Sequence, residues 1–149
     1  MTASSTPESS KPAIELPTWI ADHLKQYLET DGAQGHMWNG VPCLLLTTTG
    51  RKSGKSLQLP LIYGKSGSSY LIVASKGGAE THPAWYVNLA ANPDITLQVG
   101  ADRFAARART ATAAEKPALW AIMAKIWPAY NEYQAKTGRP IPVVVMDRV

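Results

Sequence analysis

The chain has 149 residues, 45% of them hydrophobic, with five tryptophans and a formal net charge of +4, enough apolar material for one substantial core and one domain. No apolar run approaches the ~20 residues that span a bilayer, the start MTASSTPESSKPAIELP lacks the apolar centre of a secretory signal, and the single Cys43 excludes an intramolecular disulfide or a multi-cysteine metal site. Cytoplasmic residence is the default expectation.

Ser, Thr and Pro dominate the first residues, so Met1 to about Lys11 is expected to be a disordered tail, with residues 12–149 forming the domain. Residues 14–30 predict an amphipathic helix starting near Thr18 as N-cap, with Ile20, Leu24, Tyr27 and Leu28 on one face. Core packing is the first use expected of that face; lying on a membrane surface or over a substrate pocket is the other.

Short strands come next. VPCLLLTTT (Val41–Thr49) places Cys43 in an apolar run, as a small buried hydrophobe. The adjoining segment, GRKSGKS, has the look of a nucleotide-binding P-loop. Only three residues separate Gly50 from Gly54-Lys55-Ser56, however, one short of the spacing that wraps phosphates. The residues after it, LQLPLIYGK (Leu57–Lys65), form a strand with an edge or bulge proline rather than a helix. The segment therefore reads as a basic turn between two strands.

Ser66-Gly67-Ser68 turns into SYLIVASK (Ser69–Lys76), and PAWYVNLAAN predicts a short helix that ends at Asn92-Pro93. DITLQVG and RFAARARTAT form a hairpin through Gly100-Ala101-Asp102, with Arg103, Arg107 and Arg109 on one face. AAEKPALWAIMAKIW and AYNEYQAKTG are helical, and IPVVVMDRV is a last strand. Tight turns between most strands imply antiparallel pairing. About six such strands with helices packed outside form an α+β, mainly β, closed or partly split barrel.

Conventional catalytic sets find little support. His23, His36 and His82 have no HxxxH or HxH spacing, no GxSxG elbow occurs, and carboxylates are sparse. Nucleic-acid binding has only charge in its favour, because the aromatic strand pattern of an RNA-recognition sheet is absent. The position of the charge is more telling. Gly32 to Ala79 contains no Asp or Glu but five cations, Arg51, Lys52, Lys55, Lys65 and Lys76, so the rest of the chain sums to −1. Such a region attracts anions.

Three segments offer groups suited to an anionic, planar ligand. In GRKSGK, Gly50 and Gly54 let backbone N–H groups approach phosphate while Arg51 and Lys52 add charge. In ASKGGAETHPAWYVN, Lys76 and Gly77-Gly78 at a strand end lead to a helix N-terminus, with Trp85 and Asn88 three apart. In IWPAYNEYQ, Trp127, Tyr130 and Tyr133 recur at three-residue spacing.

TTTGRKSGK, LIVASKGGAETHPAWYVNLAANPDI and YNEYQAKTGRPIPVVVM together resemble the deazaflavin-dependent nitroreductase family of actinobacteria, in register from about Cys43 to Met146. The resemblance implies a split β-barrel that uses reduced coenzyme F420 as hydride donor to an enone, quinone or nitro acceptor. F420 joins a flat deazaflavin ring to a phosphodiester-linked glutamate tail, which suits a basic, glycine-lined groove. By that resemblance Lys52, Ser53 and Lys76 hold phosphate or tail, and Gly77 and Gly78 allow close approach; Arg51 and Gly54 join them as cofactor-binding candidates from the basic turn itself. Pro60, Ile62, Ala74 and Ser75 line the ring, Trp85 and Asn88 support it, and Tyr130 and Tyr133 stand on the substrate side as catalytic candidates. Two positions depart from the family: Leu57 stands where many members have arginine, and Trp127 where a related nitroreductase has tyrosine. The alternatives are an FMN-binding reductase or oxidase on the same barrel, or a carrier of F420 without turnover. The expected partner is a small-molecule acceptor, with no metal and no nucleic acid; pairing of two copies and a peripheral membrane contact through the N-terminal helix are left open.

Overall fold

A computed structural model describes residues 16–149; the tail expected over Met1 to about Lys11 lies outside the described residues. The elements in order are α1 (Thr18–Thr30), β1 (Met37–Trp38), β2 (Val41–Thr49), β3 (Ser56–Ile62), β4 (Gly64–Ser66), β5 (Ser69–Val73), α2 (Ala84–Ala91), β6 (Asp94–Val99), β7 (Asp102–Thr110), α3 (Lys116–Ile126), α4 (Ala129–Lys136) and β8 (Val143–Arg148). A short 3₁₀ turn, Lys76–Gly78, lies between β5 and α2.

Every strand pair is antiparallel. Neighbours run β2-β6-β7-β8-β5-β4, and β3 pairs with β2 on the edge that β6 leaves. The two outer strands of that path, β3 and β4, are separated in sequence by Tyr63 alone. The sheet must therefore curl until its ends nearly meet. The result is the split barrel.

The continuous apolar runs result from burial on both faces. In β8, Val144 and Met146 point into the barrel with Leu44, Leu46, Ile72, Leu97 and Phe104. The alternate residues Val143 and Val145 join Leu71, Val73, Leu119, Met123 and Tyr130 in a second core under α3 and α4. Strand β7 has one covered face, so Phe104, Ala106 and Ala108 are buried while Arg103, Arg107 and Arg109 are exposed.

Three expectations are corrected. Thr18 is the first helical residue rather than the N-cap; Pro17 holds that place without a side-chain hydrogen bond. The segment Leu57–Lys65 is two strands: the β2 ladder ends at Ile62, Tyr63 makes one last N–H bond to the Pro42 carbonyl at 3.1 Å, and β4 pairs with β5. SYLIVASK is a strand only to Val73. The chain then takes left-handed backbone at Lys76, Gly77 and Gly78, with φ of 46°, 63° and 85°.

Helix α1 both packs and covers. Tyr27 is fully buried, its hydroxyl accepting from the Gly100 N–H at 2.7 Å and donating to the Cys43 carbonyl at 3.0 Å. That anchor holds the helix against the open side of the barrel, where Trp19, Ile20 and His23 meet a cavity. No helix among the described residues is long and apolar enough to cross a membrane.

Candidate active site

A cavity of ≈ 550 Å³ opens between β3, the end of β5, the N-terminus of α2, α4 and the inner face of α1. Its β3 wall is Leu57, Leu59, Pro60, Leu61 and Ile62, and Trp85 closes the α2 side. Ser75, Lys76 and Gly77 form one rim, and Trp127, Tyr130 and Tyr133 form another. The surroundings are mostly apolar with a few polar groups, as a bound planar organic molecule requires.

A second cleft of ≈ 210 Å³ is lined by Gly50, Arg51, Lys52, Ser53, Lys55, Ser56, Leu57 and Asn88. Leu57 lines both spaces, so the apolar cavity and the basic cleft adjoin along β3. The turn is held by Gly50 N–H to the Lys55 carbonyl at 2.7 Å and Lys55 N–H to Ser53 Oγ at 3.1 Å. Asn88 reaches across from α2, accepting from the Arg51 N–H at 3.4 Å and donating to Thr48 Oγ1 at 3.2 Å.

The cations there lack a carboxylate partner, as Lys25, Lys65, Lys116, Lys125, Lys136 and Arg139 do elsewhere among the described residues, and they are set apart by standing together at the two spaces. Arg103, Arg107, Arg109 and Arg148 each pair with a carboxylate, on Asp31, Asp94, Glu115 and Asp102 respectively. Among the described residues Arg51, Lys52, Lys55 and Lys76 have no such partner, and all four are exposed. Lys76 Nζ donates only to Thr81 Oγ1, at 3.2 Å. Positive charge without internal neutralisation is left for an external anion.

Most of the expected site residues thus gather in two adjoining spaces. Pro60, Ile62, Ser75, Lys76, Gly77, Trp85, Tyr130 and Tyr133 line the cavity, and Arg51, Lys52, Ser53 and Asn88 the cleft. Ala74, Gly54 and Gly78 line neither. Ala74 is fully buried, bonded to the Pro142 carbonyl through its N–H. Gly54 supplies the left-handed φ of 72° in the basic turn.

Gly78 faces α4. A Cβ there would stand 2.6 Å from the Tyr133 carbonyl oxygen and 3.0 Å from its Cα. Gly77 has a similar φ but open space around its Cβ position. Gly78→Ala should therefore cost about 2–4 kcal/mol by combining strain with a backbone clash, whereas Gly77→Ala should cost only about 1 kcal/mol for the left-handed φ. Thermal melting of the two variants checks the difference.

Titration is shaped by burial. The Tyr130 phenol is pushed well above its ordinary value, chiefly by burial and secondarily by Cys43 and Tyr133. It stays protonated at neutral pH and acts as a donor. Neither its hydroxyl nor that of Ser75 has a hydrogen-bond partner among the described residues, although both side chains are buried on the cavity wall. Burial pushes the Cys43 thiol up to about 12, so it is no nucleophile.

Several residues are visible only in the structure. Arg139 Nε donates to the Ala79 carbonyl at 2.7 Å, Nη2 to the Ser75 carbonyl at 2.8 Å and Nη1 to the Ala74 carbonyl at 3.3 Å. The same Nη1 lies 3.2 Å from His82 Nδ1, whose pKa is lowered by burial and then by this guanidinium. Gln134 fixes Arg139 in turn, donating to its carbonyl and accepting from the Ile141 N–H, both at 2.9 Å. Trp19 and His23 flank Trp38, with ring centroids 5.7 Å and 6.0 Å from it, and Trp38 reaches Trp127 at 6.2 Å. A signal for Trp38 was present: Asn39-Gly40 is the strongest two-residue hairpin motif, and both residues have positive φ.

Comparison with known proteins bears on this geometry. The model of the family described as F420H(2)-dependent quinone reductase matches residues 19–148. The chain belongs to the F420H(2)-dependent quinone reductase family. It is 42% identical over 153 aligned positions to the F420H(2)-dependent quinone reductase Rv1261c of Mycobacterium tuberculosis, covering 91% of this chain and 99% of that protein. Among solved structures, a structure of an F420-H2 dependent reductase (FDR-A) is 41% identical with a TM-score of 0.66, covering 71% of this chain and 94% of the other. A further one, described as a domain-swapped dimer, is 38% identical with a TM-score of 0.69, covering 87% and 97%. The split-barrel architecture is shared with the solved F420-H2 dependent reductase FDR-A.

Proposed function

We propose that the protein is an F420H2-dependent reductase of quinones. The observation that carries the reading is the junction at Leu57 between an apolar cavity and a cleft of unpaired cations. A flat, largely apolar deazaflavin ring fits the first, and its anionic tail fits the second. FMN also carries a phosphate, but it has no extended anionic tail to occupy Arg51, Lys52 and Lys55 together.

Reduced F420, when bound, supplies the hydride. The chain supplies placement, charge and exclusion of water. Arg51, Lys52 and Lys55 hold the tail, while Asn88 braces their turn. Pro60, Ile62 and Trp85 bound the ring, and Ser75 and Lys76 meet its polar edge. Tyr130 and Tyr133 face the acceptor side, with Trp127 Nε1 donating to the Tyr133 hydroxyl at 3.4 Å. The buried Tyr130 O–H donates to an acceptor oxygen as negative charge develops there.

Tyr130→Phe removes only that hydroxyl. Turnover of menadione should fall roughly 10- to 100-fold with F420 affinity unchanged, since the cationic cleft is intact. Steady-state kinetics beside a fluorescence titration check this, and unaltered turnover would refute the role given to Tyr130. Pairing of two copies belongs to the same proposal, supported by the domain-swapped dimer among the structural relatives. Sedimentation velocity tests it: a monomer at micromolar concentration would remove the pairing.

A further inference from the structure

We infer that His23 binds the acceptor's oxygen through its Nδ1 atom. The inference rests on the proposal that an oxygen-bearing acceptor occupies the large cavity.

The ring is anchored along one edge only. His23 Nε2–H donates to the Gly35 carbonyl at 2.7 Å, and Cδ2 lies 3.2 Å from the place a Gly35 Cβ would take. The Nε2–Cδ2 edge is therefore spent on the α1–β1 loop, which leaves the Nδ1–Cε1 edge on the other side. His23 is only 8% exposed, lines the cavity, and has no hydrogen-bond partner for Nδ1 among the described residues. Its plane is set by stacking in the Trp19–Trp38–His23 run, where the interplanar angles are 17° and 18°.

A buried ring nitrogen without a partner is costly unless something supplies one. Because Nε2 holds the proton that Gly35 requires, Nδ1 of the neutral ring is an acceptor, suited to a hydroxyl of the reduced product. The protonated ring keeps the Gly35 bond and offers Nδ1–H to a carbonyl. Tyr130 offers a second polar contact from α4. Two separate polar contacts suit an acceptor with two oxygens better than a simple enone.

Two substitutions separate this role from a structural one. His23→Gln retains a donor near Nε2 for Gly35 but loses the Nδ1 group; His23→Asn retains a polar atom at the Nδ1 position but loses the Gly35 anchor. If His23 binds the acceptor, His23→Gln lowers kcat/KM for menadione roughly three- to tenfold, His23→Asn keeps most of it, and F420 affinity stays constant in both. In protein without cofactor, tryptophan quenching should show the affinity ratio of menadione to 2-methylnaphthalene falling by a similar factor in His23→Gln alone. Loss in His23→Asn alone, equal loss in both, or loss in neither overturns the assignment. In wild-type protein labelled with ¹⁵N-histidine, the His23 Nδ1 resonance should move when menadione is added; an unmoved resonance overturns it even if a variant fails to fold. A wild type that binds F420 yet oxidises it with no quinone refutes the functional reading and this inference together, whereas an active wild type with the wrong variant ranking refutes only His23.

Discussion

Arg139→Ala should lower stability by about 2–4 kcal/mol, which corresponds to a fall of about 5–15 °C in melting temperature, and should weaken F420 binding at least roughly tenfold. Its guanidinium holds three carbonyls, those of Ala74, Ser75 and Ala79, from one point. Those residues bracket the left-handed turn in which Lys76 takes a φ of 46°. A non-glycine residue persists there only when its surroundings enforce the conformation. Without Arg139 the turn should relax, and Lys76 and Gly77 would leave the cavity rim. Lysine should rescue little, since a single ammonium cannot reproduce the planar fork. Calorimetry and a cofactor titration on the alanine and lysine variants test this; a wild-type melting temperature in Arg139→Ala would contradict it.

Removing charge from the basic turn should have the opposite profile, with binding lost and stability kept. Lys52→Ala is expected to weaken F420 binding roughly tenfold, and the Arg51→Ala/Lys52→Ala pair on the order of a hundredfold. Both side chains are exposed and neither has an ion-pair partner among the described residues, so the fold loses nothing when they go. The wild-type affinity should also drop with rising salt, and the double variant should respond less steeply because fewer charges are screened. Fluorescence titrations across a salt series decide the matter, and affinity that ignores both substitutions would remove the tail from this cleft.

What the sequence disclosed and what it concealed have separate physical causes. The basic turn, the SKGG segment and the aromatic triplet were legible because charge, glycine and period three are local signals. The barrel strands were legible for the same reason: apolar runs such as VVVM need cover on both faces, and the structure provides it. The break at Tyr63 left no mark, since a strand that exchanges one partner for another keeps the same side-chain pattern. Gly78 looked like a site for ligand approach, and only the packing of α4 reveals that the Tyr133 backbone occupies that space. Arg139 and His23 were hidden for a related reason. Each acts over a long sequence distance, Arg139 on carbonyls some 60 residues away and His23 on a cavity whose other walls come from β3 and α4. Only the folded chain brings these together.

The central claim is that a deazaflavin binds across the Leu57 junction and that a quinone is reduced beside it. One measurement tests it most directly: titrate the purified protein with F420 and with FMN by tryptophan fluorescence, then add menadione to the complex with reduced F420 and follow deazaflavin absorbance. The expected result is preference for F420 over FMN and oxidation of one reduced F420 per menadione consumed. Preference for FMN, or binding of F420 with no oxidation by any quinone, would contradict the account.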